Sequence, residues 1–542
     1  MRKIRLFICY MAISLAALLA PRGDMIGNAI IVALVDLKER TRVLRKRRKM
    51  LRWIKSEFGL ALILASLLSP LAHAQTGYSL FYSTYVGGSS VDTCRDIAID
   101  EATGNIFSTG GTASSNFVTL NPYQGALATG GAKVHDIQIQ KRDASGTLVD
   151  STYLGGPNYD RAYAIEVDAN FVYVAGRAGD GFPTTSGVVQ TGFQGDATGS
   201  SEYGTQDGFI AKLDHNLELV AATYIGDGDL GFIRDVAIDS SGNVYVIFTE
   251  CLGSFPLIAN VGAWGTSHHG GKDGVVVKLN PALTQVIWAG YLGAAGNECF
   301  TPSIRVNRQN EVYVFFETSS TSGLATAGAH DTTHGGGSFD GAIAWISADG
   351  QTLKVTYAGG NDSDFFETHN GALTPAGLPI LAFTAKSNNM PTTPGCYDDS
   401  HNGNATSGAG GNGTNYTGDA WIGVYSADLS TLLFATYFGG SQGEGLQGVY
   451  SDSTGIYISG GSYSDNLPMT ANAFQSSRAG GRDAWVAKFK SDLSGLIYST
   501  YIGGAGDDEF RACAISQGRF YAVGQCENGF DTTAGATQTS FG

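Results

Sequence analysis

From about residue 78 to the C-terminus, short apolar runs alternate with turns rich in Gly, Ser, Asn and Asp. No stretch there sustains the spacing of an amphipathic helix. Four kinds of run recur in a fixed order. The first reads RDIAID (95–100), RAYAIEVD (161–168) and RDVAID (234–239). The second reads FVYVAG (171–176), NVYVIF (243–248) and GIYISG (455–460). The third reads DGFIAKLD (207–214), DGVVVKLN (273–280) and DAWVAKFK (483–490). The fourth carries a Thr-Tyr-apolar-Gly-Gly anchor, as in LVDSTYLGG (148–156) and GLIYSTYIGG (495–504). These runs are rich in Val, Ile, Tyr and Phe, and Gly-Gly, Asp-Gly or Ser-Gly-Asn turns bound them. Each predicts a strand, with the first and second joined as a hairpin.

The anchor tyrosines are Tyr85, Tyr153, Tyr224, Tyr291, Tyr357, Tyr437 and Tyr501, 64 to 80 residues apart. Four strands per period, repeated about seven times, predict an all-β fold: a seven-bladed β-propeller of four-stranded antiparallel blades. A single such sheet cannot bury both faces, so its neighbours in the ring must. A solenoid would need shorter and more regular coils. Third-type strands number six and the other types seven, because the chain ends at TQTSFG (537–542) where another is due. The last blade is therefore expected to be incomplete, closed by the N-terminal anchor strand (78–86), with an unpaired edge.

Composition sharpens this picture. Glycine is 75 of 542 residues, about twice average usage, proline only 13, and hydrophobic residues 43%. That excludes disorder and collagen and fits a fold of many tight turns. The first 74 residues hold 14 of the 34 Lys and Arg but only 4 of the 49 Asp and Glu. The remainder carries a net charge of −25, which argues against nucleic acid as a partner. Residues 50–74 combine a basic start, an apolar run (58–72) and Ala72-His73-Ala74, the grammar of a cleaved signal peptide. Residues 1–49 read as an upstream extension from a misplaced start codon, and 75–542 as a single propeller domain. The expectation is a bacterial protein exported to the periplasm, cell surface or medium, monomeric, and not inserted in the membrane after cleavage.

The repeat resembles the bacterial seven-bladed β-propeller repeat family (SBBP-type). It matches at STYIGG (499–504), DSSGNVYV (239–246), FPTTSG (182–187) and DAWVAK (483–488), and the likeness covers about 78–542. It implies the propeller fold and presence outside the cytoplasm, with no shared catalytic chemistry.

Seven residues beyond the anchor tyrosines lie Asp92, Asp160, Glu298, Asp364, Glu444 and Asp508; the third repeat has Gly231 instead. Such a ring of acids is a candidate for holding a cation such as calcium. The preferred reading is that each carboxylate caps its own turn. A second acid opens each third strand: Asp136, Asp207, Asp273, Asp340, Asp419 and Asp483, read as a structural device. His268, His269, His330 and His334 sit in equivalent loops of neighbouring repeats, too Gly-rich to fix a metal pair. Cys251 with Cys299, and Cys94 with Cys526, stand in the same relation between adjacent blades and are disulfide candidates, the alternative being free thiols. No zinc-protease, Walker or C-x-x-C motif occurs, and no cofactor is implied. The sequence thus points to a non-catalytic binding or structural module for a protein or glycan partner, with the loop-bearing face as its working side. Its alternatives are a carbohydrate-active lyase or hydrolase on the same scaffold, or a fragment of a longer surface adhesin.

Overall fold

The computed structural model describes residues 78–131, 134–195, 203–226, 231–253, 255–367, 369–403 and 418–541. The expected signal peptide and upstream extension fall outside them, as does most of the 396–418 loop. Within the unit 77–542, six sheets of four or five strands follow one another along the chain. They span 92–154, 161–225, 233–292, 303–358, 364–438 and 444–502, and are termed blades 1 to 6. A two-stranded sheet, Glu509–Ser516 with Arg519–Gln525, comes last. Almost every strand pairs antiparallel with its neighbour in sequence. The innermost strands pack in cyclic order: Asp92–Ile99 against Arg161–Val167, and so on to Glu509–Ser516, which returns against Asp92–Ile99. The molecule is a β-propeller with six complete blades, one fewer than the anchor count predicts.

The core lies between blades. Val246, Phe248, Val275 and Tyr291 of blade 3 pack with Tyr173, Ile210 and Ile225 of blade 2. Their alternate neighbours Tyr245, Ile247 and Val276 pack against Val312, Val314 and Phe316 of blade 4. Strand alternation thus sends one set of side chains to each neighbour, which is why every blade is apolar on both faces. The joint between blade 1 and the two-stranded sheet is much thinner, its buried members being Ile97, Ala512 and Ala514.

The anchor motif does the same job in every repeat. In blade 5 the Tyr437 hydroxyl accepts the Met390 N–H at 2.7 Å and donates to the Ser387 carbonyl at 2.8 Å. Tyr224 does so with Phe182 and Gly179, and Tyr153 with Phe117 and Ser114. Each buried phenol thereby ties the outer strand to the loop leaving the second strand. The preceding threonine takes a loop N–H, as Thr223 does from Gln190 and Thr500 from Gln475. The glycine that follows the tyrosine by two is obligatory. A Cβ on Gly439 would lie 2.3 Å from Asp419 Oδ1 and 2.7 Å from Glu444 Oε2.

The N-terminal anchor makes these contacts with the C-terminus. Phe530 donates its N–H to the Tyr85 hydroxyl at 3.0 Å, Gln538 to Thr84 Oγ1, and Tyr85 N–H to the Gln538 carbonyl. Among the described residues no strand pairs with the outer edge of Arg519–Gln525, most of which is only half-buried. Tyr437→Phe should therefore cost about 1–3 kcal/mol by stranding two buried backbone groups. Tyr85→Phe should cost clearly less, because its closure is looser and wetter. Denaturant melts of the two variants check this, and an equal loss would contradict the reading of a thin joint.

Candidate functional site

The post-anchor acids are all engaged with their own turns. Asp160 accepts Gly156 N–H at 2.6 Å and Gly179 N–H at 3.0 Å. Asp364 accepts Gly360 N–H and the Ser387 hydroxyl; Glu444 accepts Gly440 N–H and the Ser462 hydroxyl. Asp92 takes Gly88 N–H and Ser114, Glu298 takes Ala294 N–H and Thr318, and Asp508 takes Gly504 N–H. Each sits in the junction of two blades. None belongs to a cluster of three metal-ligating side chains among the described residues.

The acids that open the third strands cap the long loops, as Asp483 does for Ala479 N–H and Gln475. Through the anchor glycine they meet the post-anchor acid of the next blade: Asp136 with Asp160, Asp273 with Glu298, and Asp419 with Glu444. In Asp136, Asp273, Asp340 and Asp419 one buried oxygen has no hydrogen-bond partner. Burial, above all, pushes Asp136, Asp340, Asp364 and Asp419 up to about 7. Glu444 rises to about 8, through burial and then the charge of Asp419. Burial thus favours the protonated form of these carboxyls, which crowd the same anchor glycine.

The histidines do not converge: His330 leaves its loop to meet Tyr425 and the Leu429 carbonyl of blade 5, while the others stay near their own loops. His268 Nε2 meets the Gly271 carbonyl, His269 lies 3.8 Å from Asp273, and His334 lies 3.5 Å from Asp340. None of the six described cysteines is joined in a disulfide. Cys251 is within electrostatic reach of Cys299, whose thiol burial raises well above the usual value. Burial pushes Cys526 up to about 12, with Asp508 and Cys94 adding to it.

The axial end of the ring holds what the sequence reading missed. Five innermost strands carry a one-residue bulge, at Arg95, Tyr163, Arg234, Gln447 and Arg511. A bulge re-aims its extra side chain. Here it brings side chains of separate blades together at the end where the post-anchor loops enter. Arg161 follows Asp160 directly and faces Arg177 across the hairpin. The guanidinium carbons of Arg95, Arg161, Arg177 and Arg234 lie 5.8, 5.1, 5.0 and 4.6 Å from the centre of the Tyr163 ring. Tyr163 stacks on Phe232, and Arg177 also lies over Phe232 (4.0 Å) and Tyr203 (4.7 Å).

Four of the eleven arginines beyond residue 74 thus surround one phenol in an acidic protein. None of the four forms an ion pair among the described residues. Arg95 Nε, Arg161 Nε and Nη2, Arg177 Nε and Arg234 Nε are buried and donate to nothing. In the last sheet, which packs against blade 1, the same bulge position is neutralised, with Arg511 paired to Glu509 and to Glu367 (3.3 Å). Burial opposes ionisation of the Tyr163 phenol, but the charges of Arg177, Arg161 and Arg234 outweigh it and lower its pKa. The sequence signal was Arg-Asp inside the apolar first run, at 95–96 and 234–235.

No family model and no curated protein matches the chain. Hydrazine synthase of Kuenenia stuttgartiensis is similar at 12% identity and TM-score 0.38, over 81% of this chain and 95% of that one. A protein of unknown function from Dyadobacter fermentans shares 8% identity at TM-score 0.38, over 73% and 97%. The subtype N11 neuraminidase-like protein of a flat-faced bat influenza A virus shares 9% at TM-score 0.36, over 76% and 93%.

The paired carboxyls fix a sign for pH dependence. Unfolded carboxyls titrate near 4, so between about pH 4 and pH 8 the folded chain holds protons that the unfolded chain has lost. Their contribution is fully present below that range and is lost as pH rises through it. The melting temperature should fall by at least about 3 °C from about pH 5 to pH 8. Glu444→Gln, whose amide can donate to Asp419, should flatten the fall. Melts across that range that rise, or that Glu444→Gln leaves unchanged, would refute protonation of these buried carboxyls in the folded chain.

Proposed function

We propose that the protein is an exported, non-catalytic binding module whose recognition site is the arginine cluster around Tyr163. The observation that carries this reading is the set of buried guanidinium nitrogens left without acceptors. Burying a cation without a partner is costly, and a bound anion supplies what is missing. Arginine forks match carboxylate and sulfate geometry, and the aromatic faces of Tyr163, Phe232 and Tyr203 suit a sugar ring. The ligand class is therefore an acidic glycan, bearing uronate, sialate or sulfate. Arg177, Tyr203 and Phe232 are only half-buried and form the way in.

Export rests on the signal grammar of residues 50–74, and SBBP-type membership on the quoted motifs. Among the described residues no helix is long and apolar enough to cross a membrane. We read the two-stranded sheet, with the 82–85 segment docked on the C-terminus, as an incomplete seventh blade. This restores the count given by seven anchors.

A second reading, hydrolysis of the same glycan class, is favoured by the lowered pKa of the Tyr163 phenol, since tyrosine can serve as a nucleophile. A glycan array probed with the full chain tests both. Acidic glycans should bind and neutral ones should not, and the signal should weaken with salt. Arg177→Gln should weaken it by at least about tenfold, the loss of one charge-assisted hydrogen bond. Binding confined to neutral glycans, or untouched by Arg177→Gln, defeats the proposal. Reducing ends released from an acidic glycan by the protein, and not by Tyr163→Phe, would move it to the second reading.

A further inference from the structure

A different group of side chains lies deeper between the innermost strands. Asp96 is on the first strand of blade 1 and Asp235 on that of blade 3. His369 is in the break that splits the first strand of blade 5 into Asp364–Phe365 and Gly371–Leu373. All three are buried, and one ligand atom from each lies within 4.8 Å of the other two. No other group of three or more His, Cys, Asp or Glu side chains among the described residues meets that condition.

We propose that Asp96, Asp235 and His369 form a site for one divalent transition-metal ion of the zinc type, linking three alternate blades across the centre of the ring.

The imidazole carries the argument. The His369 side chain is only 6% exposed, and its Nε2 has no hydrogen-bond partner, although Asp96 Oδ1 is 3.5 Å away. A buried ring nitrogen aimed at carboxylates and bonded to none of them is a ligand position rather than a structural one. The carboxylates have capacity left. Asp96 accepts Ile97 N–H on Oδ1 and Ile165 N–H on Oδ2. Asp235 accepts Val236 N–H on Oδ1, and Ile304 N–H and Arg305 Nη1 on Oδ2. Four lone-pair sites per carboxylate leave two on Asp96 and one, on Oδ1, on Asp235. These bonds also fix both side chains in place, as the surroundings of a metal site must.

Charge points the same way. Asp235, Glu166 and Asp96 all bear on the Arg305 guanidinium. One nitrogen and two oxygens select zinc and its first-row neighbours over calcium, which takes six to eight oxygens. Three protein ligands leave a fourth position for water.

The test uses the full chain, stripped with a chelator and titrated with Zn2+, Co2+ and Ca2+ by calorimetry, with visible absorption for Co2+. One equivalent of Zn2+ should bind and raise the melting temperature, and Co2+ should give d–d bands of a nitrogen-containing site. His369→Gln and Asp235→Asn should each lower Zn2+ affinity by at least tenfold, and His369→Gln should shift the Co2+ bands. Should Asp235→Asn not fold, because Arg305 loses its partner, His369→Gln and the Co2+ spectrum still decide. No stoichiometric Zn2+ binding, preference for Ca2+, or Zn2+ affinity unchanged in His369→Gln would overturn the site. Arg177→Gln should leave metal binding intact, so this site and the glycan-binding reading can fail separately.

Discussion

Each blade must hand the chain to the next through a step too tight for any side chain, and that step is lined with carboxylates. At Gly439 the backbone passes between Asp419, which belongs to the blade being left, and Glu444, which belongs to the one being entered. Glu444 holds the N–H of Gly440, and Asp419 holds that of Asn402. Removing the Glu444 carboxyl frees a buried backbone donor; adding a Cβ collides with both acids. The geometry of the ring therefore rests on a glycine at each such step, joined at Gly155, Gly293 and Gly439 by a pair of acids, and two carboxyls in so small a volume cannot both ionise without cost. A structural need of the turn thus holds these carboxyls above the usual carboxylate range.

Much of this was legible because each device is local and repeated. The Thr-Tyr-x-Gly-Gly motif puts threonine, tyrosine and both glycines in contact with partners that lie at a fixed offset along the same repeat. Its degraded copy at Gly290-Tyr291 keeps the tyrosine bond to Phe255 but has no hydroxyl to offer the loop. The turn-capping acids were legible for the same reason. What stayed hidden depends on contacts between repeats. Arg95, Tyr163 and Arg234 stand some 70 residues apart in sequence and share no local partner. Only the ring, and the bulge in each first strand, brings them together. The count of complete blades was hidden too, because an anchor records the outer strand of a blade, and the N-terminal anchor has no third strand beside it.

The centre of the ring is not symmetric although the repeats are. Position for position, the inner bulge carries Arg, Tyr or Arg in blades 1 to 3, Gln in blade 6 and Arg in the last sheet. In the last sheet Arg511 is matched by Glu509 and Glu367, so charge there is closed within the protein. In blades 1 to 3 it is left open. A repeat protein that needed only to fold would gain from neutralising every copy alike, since unpaired buried guanidinium groups cost stability. Confining the open charge to three adjacent blades marks one sector of one end of the propeller as different in purpose from the rest.

The same reasoning separates the two axial clusters. Arg234 and Asp235 are consecutive residues of one strand, and they serve opposite ends of the charge balance. The bulge turns Arg234 toward Tyr163, while the backbone bonds of Asp235 to Val236 and Ile304 turn it toward Arg305 and His369. Arg95 and Asp96 repeat the arrangement in blade 1, with Asp96 bonded to Ile97 and Ile165. Each Arg-Asp dipeptide thus turns its two charges to different neighbours, the arginine to the Tyr163 ring and the aspartate to the group that includes His369. Two such dipeptides, two blades apart, give the inner strands both clusters from one recurring pair of residues.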